Sequence, residues 1–120
     1  MSEREAGPLD SPKQLSRLML FVGVLGLIFA GVHAAAYLSS GAPISLSDAL
    51  FNAADGALFL AGGVLVARRR AAAILFPLLS VVASLIYSYA VGRGFNVIAL
   101  LLGGAFLILT FLQWRRGILT

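Results

Sequence analysis

Residues 18–38 read LMLFVGVLGLIFAGVHAAAYL, and this stretch decides the fold. No Asp, Glu, Lys or Arg lies anywhere between Arg17 and Asp48. A helix rises about 1.5 Å per residue, so a segment of this length spans roughly 30 Å, the thickness of the hydrocarbon core of a bilayer. We therefore expect a first membrane-spanning helix at about 13–38.

The composition of the whole chain agrees with this interpretation. Of its 120 residues, 60% are hydrophobic and 12% are charged, whereas soluble domains are about 45–50% apolar and about 25% charged. A soluble chain this short could not bury so much apolar surface. The absence of cysteine excludes disulfides, thiolate metal sites and a thiol nucleophile. The fold class expected is an all-α integral membrane protein, with the lipid bilayer as its first partner.

Three more apolar segments complete a predicted four-helix bundle. The expected divisions are a mobile polar tail at 1–12, a bundle at 13–116 with further helices at about 45–67, 71–92 and 95–114, and a C-terminal tail at 117–120. Ser11, Pro12 and Gln14 form a helix-start signature, and Ser45 with Asp48 predicts a second capping box. Pro77 should kink the third helix, because proline removes one backbone hydrogen bond.

The basic residues predict an orientation. Eight of the nine Lys and Arg residues lie at one end of the bundle, at Arg4, Lys13, Arg17, Arg68, Arg69, Arg70, Arg115 and Arg116. Arg93 alone falls at the other end. The positive-inside rule then places both termini in the cytoplasm, and the plasma membrane is the expected location. A cleaved signal peptide at the first apolar segment is the competing interpretation, but the acids that precede it (Glu3, Glu5, Asp10) argue against one.

Small residues recur on several helix faces. The residues predicted to pack helices together are Ala49, Ala53, Ala57 and Ala61 on helix two, Gly26 and Ala30 on helix one, and Gly103 on helix four. Small side chains let membrane helices approach closely. Helix two carries this alanine face in addition to a polar face, and one bundle needs only one of them. The second face therefore predicts a homo-oligomer or contacts with other membrane subunits.

Polar residues concentrate in the half of the bundle away from the arginines. The candidate ligand or proton site comprises Asp55, His33, Asn52, Tyr87, Ser84, Tyr37 and Arg93. Asp48 is interpreted as a helix-start acid favoured by the helix dipole, and Asn96 as a cap. The distribution predicts a polar pocket that opens at this end, between helices one, two and three.

Asp55 is the most informative member of this cluster. An aspartate at the centre of a membrane helix costs about 3 kcal/mol on insertion scales, so something must offset that cost. It could stay neutral, pair with His33 or Arg93, or accept hydrogen bonds from Tyr87 and Ser84. An intramembrane acid of this kind marks a proton, ion or substrate site. The alternative is an acid that neighbouring hydroxyls satisfy and that only fixes helix register.

His33 is the single histidine of the chain. A lone histidine beside small residues is more often a core residue than a ligand, so no cofactor and no metal are expected. Haem bound through His33 is the minor alternative. Phosphate-binding loops, the HExxH motif and the Gly-x-Ser-x-Gly motif are all missing from the sequence. We therefore do not expect an enzyme or a nucleic-acid-binding protein.

Three functions remain open on these grounds. The first is a non-catalytic accessory or assembly subunit of a larger membrane complex. The second is a small oligomeric proton- or ion-coupled transporter or channel that uses Asp55. The third is a haem- or quinone-binding anchor that uses His33. In length and helix number the chain is similar to the small multidrug-resistance transporters, but they carry an acid in their first helix and this chain does not.

Overall fold

The computed structural model describes residues 11–92 and 96–120, and every regular element in these ranges is helical. The helices are α1 (Pro12–Ser40), α2 (Pro43–Ala67), α3 (Leu75–Val91, preceded by a 3₁₀ turn at Ala71–Ile74) and α4 (Val97–Arg115). All four are long and apolar enough to cross a membrane, counting the 3₁₀ turn with α3. The predicted four-helix membrane bundle is thus confirmed, while the sidedness of the termini stays a prediction.

Local signals explain both ends of α1. The Ser11 hydroxyl accepts a hydrogen bond from the Gln14 backbone N–H at 3.2 Å, and Pro12 occupies the first helical position. This satisfies one of the unpaired N–H groups of the first turn. At the other end Gly41 adopts a left-handed conformation (φ 68°) and donates its N–H to the Tyr37 carbonyl at 2.7 Å. A glycine can adopt this conformation without steric cost, so the helix ends there.

The helix-start prediction at Ser45 is wrong. Helix α2 begins at Pro43, and Ala42 is its N-cap with no side-chain hydrogen bond. Proline is pre-organised for the first helical position and needs no partner for an N–H. The earlier start moves Asp48 from the first turn into the second, so its interpretation as a helix-start acid loses its basis.

The start of α3 also differs from the expected continuous helix. Residues 71–74 form a 3₁₀ turn, and Pro77 is the third residue of the α-helix that follows. The first N–H groups of an α-helix have no partner within the helix, so the N–H that proline lacks costs little there. Pro77 thus lies in the first α-helical turn and not inside an unbroken helix that starts at residue 71. The kink predicted at Pro77 stays a prediction.

Helices α1 and α2 pack backbone against backbone. A Cβ atom added at Gly56 would lie 2.7 Å from the Gly23 carbonyl oxygen, and one added at Gly26 would lie 2.9 Å from the Gly56 Cα. Such close approach is possible only because these positions lack side chains. The Ser16 hydroxyl also donates to the Gly63 carbonyl at 2.7 Å across the same contact.

The apolar core lies at one end of the bundle, which we call the arginine-rich end because Arg68–Arg70 and Arg115–Arg116 lie there. Its buried members are Leu15, Met19, Phe59, Val66, Ala73, Phe106 and Leu119. Phe59 and Phe106 meet edge to face with centroids 5.4 Å apart, which connects α2 with α4. At Gly62 an added Cβ would lie 2.7 Å from Met19 Cε and 3.2 Å from Phe76 Cβ, so the α2 backbone packs directly against this core.

Residues 117–120, assigned from the sequence simply as a tail, belong to this core. The Thr120 N–H donates to the Arg69 carbonyl at 2.9 Å, and the Ala71 N–H donates to the Thr120 carbonyl at 3.3 Å. These two bonds bring Leu119 onto the core, where it is 1% exposed. The segment therefore covers the arginine-rich end between α2 and α3.

The outer surface of the bundle is apolar, as lipid contact requires. Large exposed side chains occur on all four helices, among them Ile28, Leu38, Leu50, Ile86, Val97 and Leu101. In water such a surface would aggregate. Tyr89 and Trp114, aromatic residues near helix ends of the kind that anchor proteins at the membrane interface, are exposed as well. The chain is therefore suited to lie in a bilayer with these side chains against lipid.

Candidate functional site

Two polar helix faces meet in the half of the bundle opposite the arginines, which we call the cavity end. On α2, Asp48, Asn52 and Asp55 follow one another at intervals of four and three residues, which places them on one face. On α3, Ser80, Ser84 and Ser88 recur every four residues and are all buried. Side chains from these two faces hydrogen-bond to one another across the helix contact.

Asp55 lies midway along α2, about 18 Å from its first residue at 1.5 Å per residue. The Ser80 hydroxyl donates a hydrogen bond to Asp55 Oδ1 at 2.5 Å. Ser80 is fully buried, and Asp55 receives no other side-chain hydrogen bond among the described residues. The expected donors were Tyr87 and Ser84, and the observed donor lies one helical turn before Ser84. One hydroxyl satisfies only part of a carboxylate, which can accept about four hydrogen bonds.

Asp48 is part of the site, contrary to its interpretation as a helix-start acid. The Tyr87 hydroxyl donates to Asp48 Oδ1 at 2.6 Å. The Tyr87 ring stacks on Phe51, with centroids 4.5 Å apart and planes 8° from parallel. The side-chain N–H of Asn52 donates to the backbone carbonyl of Asp48 at 2.8 Å. These contacts hold an aromatic pair beside a carboxylate, two helical turns from Asp55.

Ser84 is the unusual hydroxyl of the site. It is 1% exposed, and its Oγ atom has no hydrogen-bond partner within the described part of the chain. Thr110, equally buried on α4, instead donates to the Phe106 carbonyl at 2.7 Å, as hydroxyls in membrane helices usually do. An unsatisfied buried hydroxyl costs about 1–3 kcal/mol. The Ser84 hydroxyl is therefore available to a ligand.

A cavity of about 780 Å³ lies between the four helices, with Asp55 and Ser84 in its lining. Helix α1 contributes mostly apolar side chains, and α2 and α3 contribute most of the polar ones. The lining residues are Phe21, Val22, Leu25, Gly26, Phe29, His33, Asp48, Phe51, Asn52, Asp55, Gly56, Phe59, Ser84, Tyr87, Ser88, Val91, Asn96, Ile98, Ala99 and Leu102. Cavities of roughly 300–1,000 Å³ are typical of sites for small organic ligands.

The structure brings most of the predicted site residues to this cavity. Five of the seven line it, namely Asp55, His33, Asn52, Tyr87 and Ser84. Tyr37 does not line it, and Arg93 lies outside the described residues. His33 comes from α1, whereas the serines of the lining come from α3, and it is partly exposed. Asn96 caps α4 as expected, because its side chain accepts from the Ala99 N–H at 3.1 Å.

The residues predicted to pack helices together differ in how deeply they are buried. Gly26 lies against Gly56, and Gly103 lies against Val81, whose Cγ2 would be 2.9 Å from an added Cβ. Ala30 and Ala49 are buried. Ala53 and Ala61 are partly buried, whereas Ala57 is exposed. Part of the alanine face of α2 therefore packs within the chain, and part of it faces outward.

Sequence reasoning missed two members of the site, although a signal for each was present. Asp48 shares a helix face with Asn52 and Asp55, but its position near a predicted helix start favoured the capping interpretation. Ser80 lies on the same stripe as Ser84, and only the relative height of two helices distinguishes them as partners of Asp55. Within the described ranges no cluster of three His, Cys, Asp or Glu side chains could hold a metal ion.

No protein-family model, no curated protein and no solved structure matches this chain. The geometry of the cavity is therefore the basis for assigning a function to this chain.

Proposed function

We propose that this small polytopic membrane protein is a proton- or ion-coupled transporter or channel in which Asp55 is the proton- or cation-binding group. One observation supports this most directly. A carboxylate at the middle of a membrane helix lines a cavity of about 780 Å³, and its one described hydrogen-bond donor is Ser80. A structural acid would be enclosed by donors, whereas a transport site must keep an oxygen accessible to its substrate.

The proposed orientation determines the side of the membrane toward which the cavity opens. If the positive-inside rule holds, the arginine-rich end faces the cytoplasm and both termini lie there. The cavity end then opens toward the outside of the plasma membrane, and the packed core closes the cytoplasmic end. Such a molecule resembles one state of an alternating-access cycle, and a second state would require the core end to open.

Proton flux through the reconstituted protein tests the proposal. Proteoliposomes that contain pyranine and a potassium gradient are treated with valinomycin, and lumenal acidification is followed. Asp55→Asn preserves an oxygen that can accept the Ser80 hydrogen bond but cannot titrate, so we expect the protein-dependent rate to fall at least tenfold. Asp10→Asn, which removes a carboxylate located before α1, is the matched control and should retain the rate. Equal rates in the two variants would exclude Asp55 as the coupling group.

An accessory or assembly subunit is the second candidate function, and a different observation favours it. Gly31 and Gly104 have no atom within 4 Å of an added Cβ, and Ala57 is exposed. Small outward-facing residues in membrane helices suit contact with another helix. Purification in a mild detergent, followed by mass measurement, distinguishes the candidates. A stable complex with other membrane subunits supports the second function, and a homo-oligomer supports the first.

Haem or quinone binding through His33 is the third alternative from the sequence. His33 lines the cavity, but it is the single histidine of the chain, so bis-histidine ligation would need a second copy or another subunit. A visible spectrum of the purified protein tests this directly, because a bound haem gives a Soret band.

A further inference from the structure

The size of the cavity limits what it can bind. A proton needs only the carboxylate, and a metal ion needs a compact shell of several oxygen ligands within about 2.0–2.6 Å. A volume of about 780 Å³ exceeds both requirements and suits an organic molecule. The unpartnered Ser84 hydroxyl, 1% exposed and in the cavity lining, also points to a ligand with a hydrogen-bonding group.

The two walls of the cavity differ in polarity. On α1, Phe21, Leu25 and Phe29 form an apolar wall, with His33 as its one ionisable member. The polar part of the lining carries Asp55 from α2 and the hydroxyls of α3. A ligand that satisfies both walls must be amphipathic, with a polar group toward α2 and α3 and an apolar body along α1.

The charge of the cavity lining indicates which charge a ligand should carry. The Asp55 carboxylate lines the cavity, and the described lining residues include no Lys or Arg. The stacked rings of Phe51 and Tyr87 also line the cavity. Aromatic faces attract cations, and the interaction strengthens when water is excluded. A positively charged group is therefore favoured over a neutral or negative one.

We propose that the cavity binds an amphiphile with a single primary or secondary ammonium group, held between Asp55 and the Ser84 hydroxyl, with its apolar body along the α1 wall. A protonated amine has the donors that a carboxylate and an unpaired hydroxyl can accept. This inference rests on the proposed function, because it makes the Asp55 carboxylate the substrate-binding group. The amine could be a free hydrophobic amine or the ethanolamine head group of a lipid, since both have the same chemistry.

Binding of a matched ligand series to the full chain in phosphatidylcholine nanodiscs tests the proposal. Radiolabelled decylamine is the probe, and decanol and decanoate are competitors with the same apolar body. We expect saturable binding of decylamine above that of empty nanodiscs, and at least tenfold weaker competition by decanol and decanoate. Equal competition by decanol would overturn the proposal, because the apolar body alone would then determine binding.

Substitutions of single residues test where in the cavity the ammonium group binds. Asp55→Asn should weaken decylamine binding at least tenfold. Ser84→Ala removes an unsatisfied hydroxyl, so it should fold at least as well as the parent chain but bind severalfold more weakly. Thr110→Val, which removes a hydroxyl that is bonded to its own helix, is the control and should bind normally. Unchanged binding in the Ser84→Ala variant and in a folded Asp55→Asn variant would overturn the proposal.

Nanodiscs with added phosphatidylethanolamine distinguish the two sources of the amine. Competition by this lipid with decylamine identifies a lipid head group as the occupant, and its failure to compete identifies a free amine. The results also separate this inference from the proposed function. Asp55-dependent proton flux without decylamine binding would overturn the inference alone. Asp55-dependent binding of decylamine without proton flux would support the binding site but overturn the proposed transport function.

Discussion

The arginine-rich end and the cavity end are built from the same four helices but are packed in opposite ways. At the arginine-rich end, apolar side chains and the last residues of the chain fill the space between the helices. At the cavity end, α2 and α3 meet through polar faces, and about 780 Å³ remains open. In a membrane the hydrophobic effect does not hold helices together, so packing and hydrogen bonds must. Close packing is therefore concentrated at one end, and hydrogen bonds between polar faces join α2 to α3 at the other.

The largest expected effect concerns the α1–α2 contact, which both ends share. Gly56→Ala places a methyl group 2.7 Å from the Gly23 carbonyl oxygen, and backbone cannot easily move away. We expect the free energy of unfolding to fall by about 2–3 kcal/mol, as in other overpacked cores. Thermal unfolding in mild detergent, followed by Trp114 fluorescence, measures the change.

Gly31→Ala is the matched control for this experiment, because its new methyl group meets no atom within 4 Å. The same substitution there should raise the free energy of unfolding by about 0.5–1 kcal/mol, the usual gain of alanine over glycine in a helix. If the two variants unfold at the same temperature, the close backbone contact is not what joins α1 to α2.

A smaller loss of stability is expected for a substitution at the arginine-rich end. Leu119→Ala should lower the free energy of unfolding by about 2 kcal/mol, at the low end for buried leucines because the site lies at the edge of the core. Leu38→Ala, at an 83% exposed position, should change it by less than about 0.5 kcal/mol. The same unfolding assay applies. Equal stability of the two variants would show that residues 117–120 do not contribute to the core.

The smallest effect is expected at the cavity end. Tyr87→Phe keeps the ring that stacks on Phe51 but removes the hydroxyl that donates to Asp48. We expect the free energy of unfolding to fall by about 1 kcal/mol, the net contribution of a typical hydrogen bond. Tyr89→Phe, on the same helix and 89% exposed, is the control and should have no effect. A loss in Tyr89→Phe as large as that in Tyr87→Phe would contradict this assignment.

The four membrane spans could be predicted from the sequence because hydropathy and length are properties of single segments. The depth of Asp55 along α2 and the polar character of the cavity end followed for the same reason. The hydrogen-bond partners could not be predicted in this way. Whether Asp55 meets Ser80 or Ser84 depends on a shift of one helical turn between α2 and α3. Such a shift depends on how the helices pack in three dimensions, which the pattern of a single segment does not contain.

The helix starts also show where prediction from the sequence fails. Ser11 caps α1 as expected, because serine, proline and glutamine there all favour the same start. At α2, Ser45 and Asp48 favour one start and Pro43 favours another, and the proline prevails. The role of Asp48 changed with that outcome, since a carboxylate in the second turn can face α3. Where two local signals compete, the sequence alone does not decide between them.

The unequal helix lengths have a consequence for the surrounding lipid. Helix α1 has 29 residues and α4 has 19, which correspond to about 43 Å and 28 Å at 1.5 Å per residue. A hydrocarbon layer of about 30 Å matches α4, so α1 must tilt or project beyond it. Hydrophobic mismatch of this kind sorts proteins between thinner and thicker membranes. The thickness of the host bilayer therefore determines how deeply the mouth of the cavity sits among the lipid head groups.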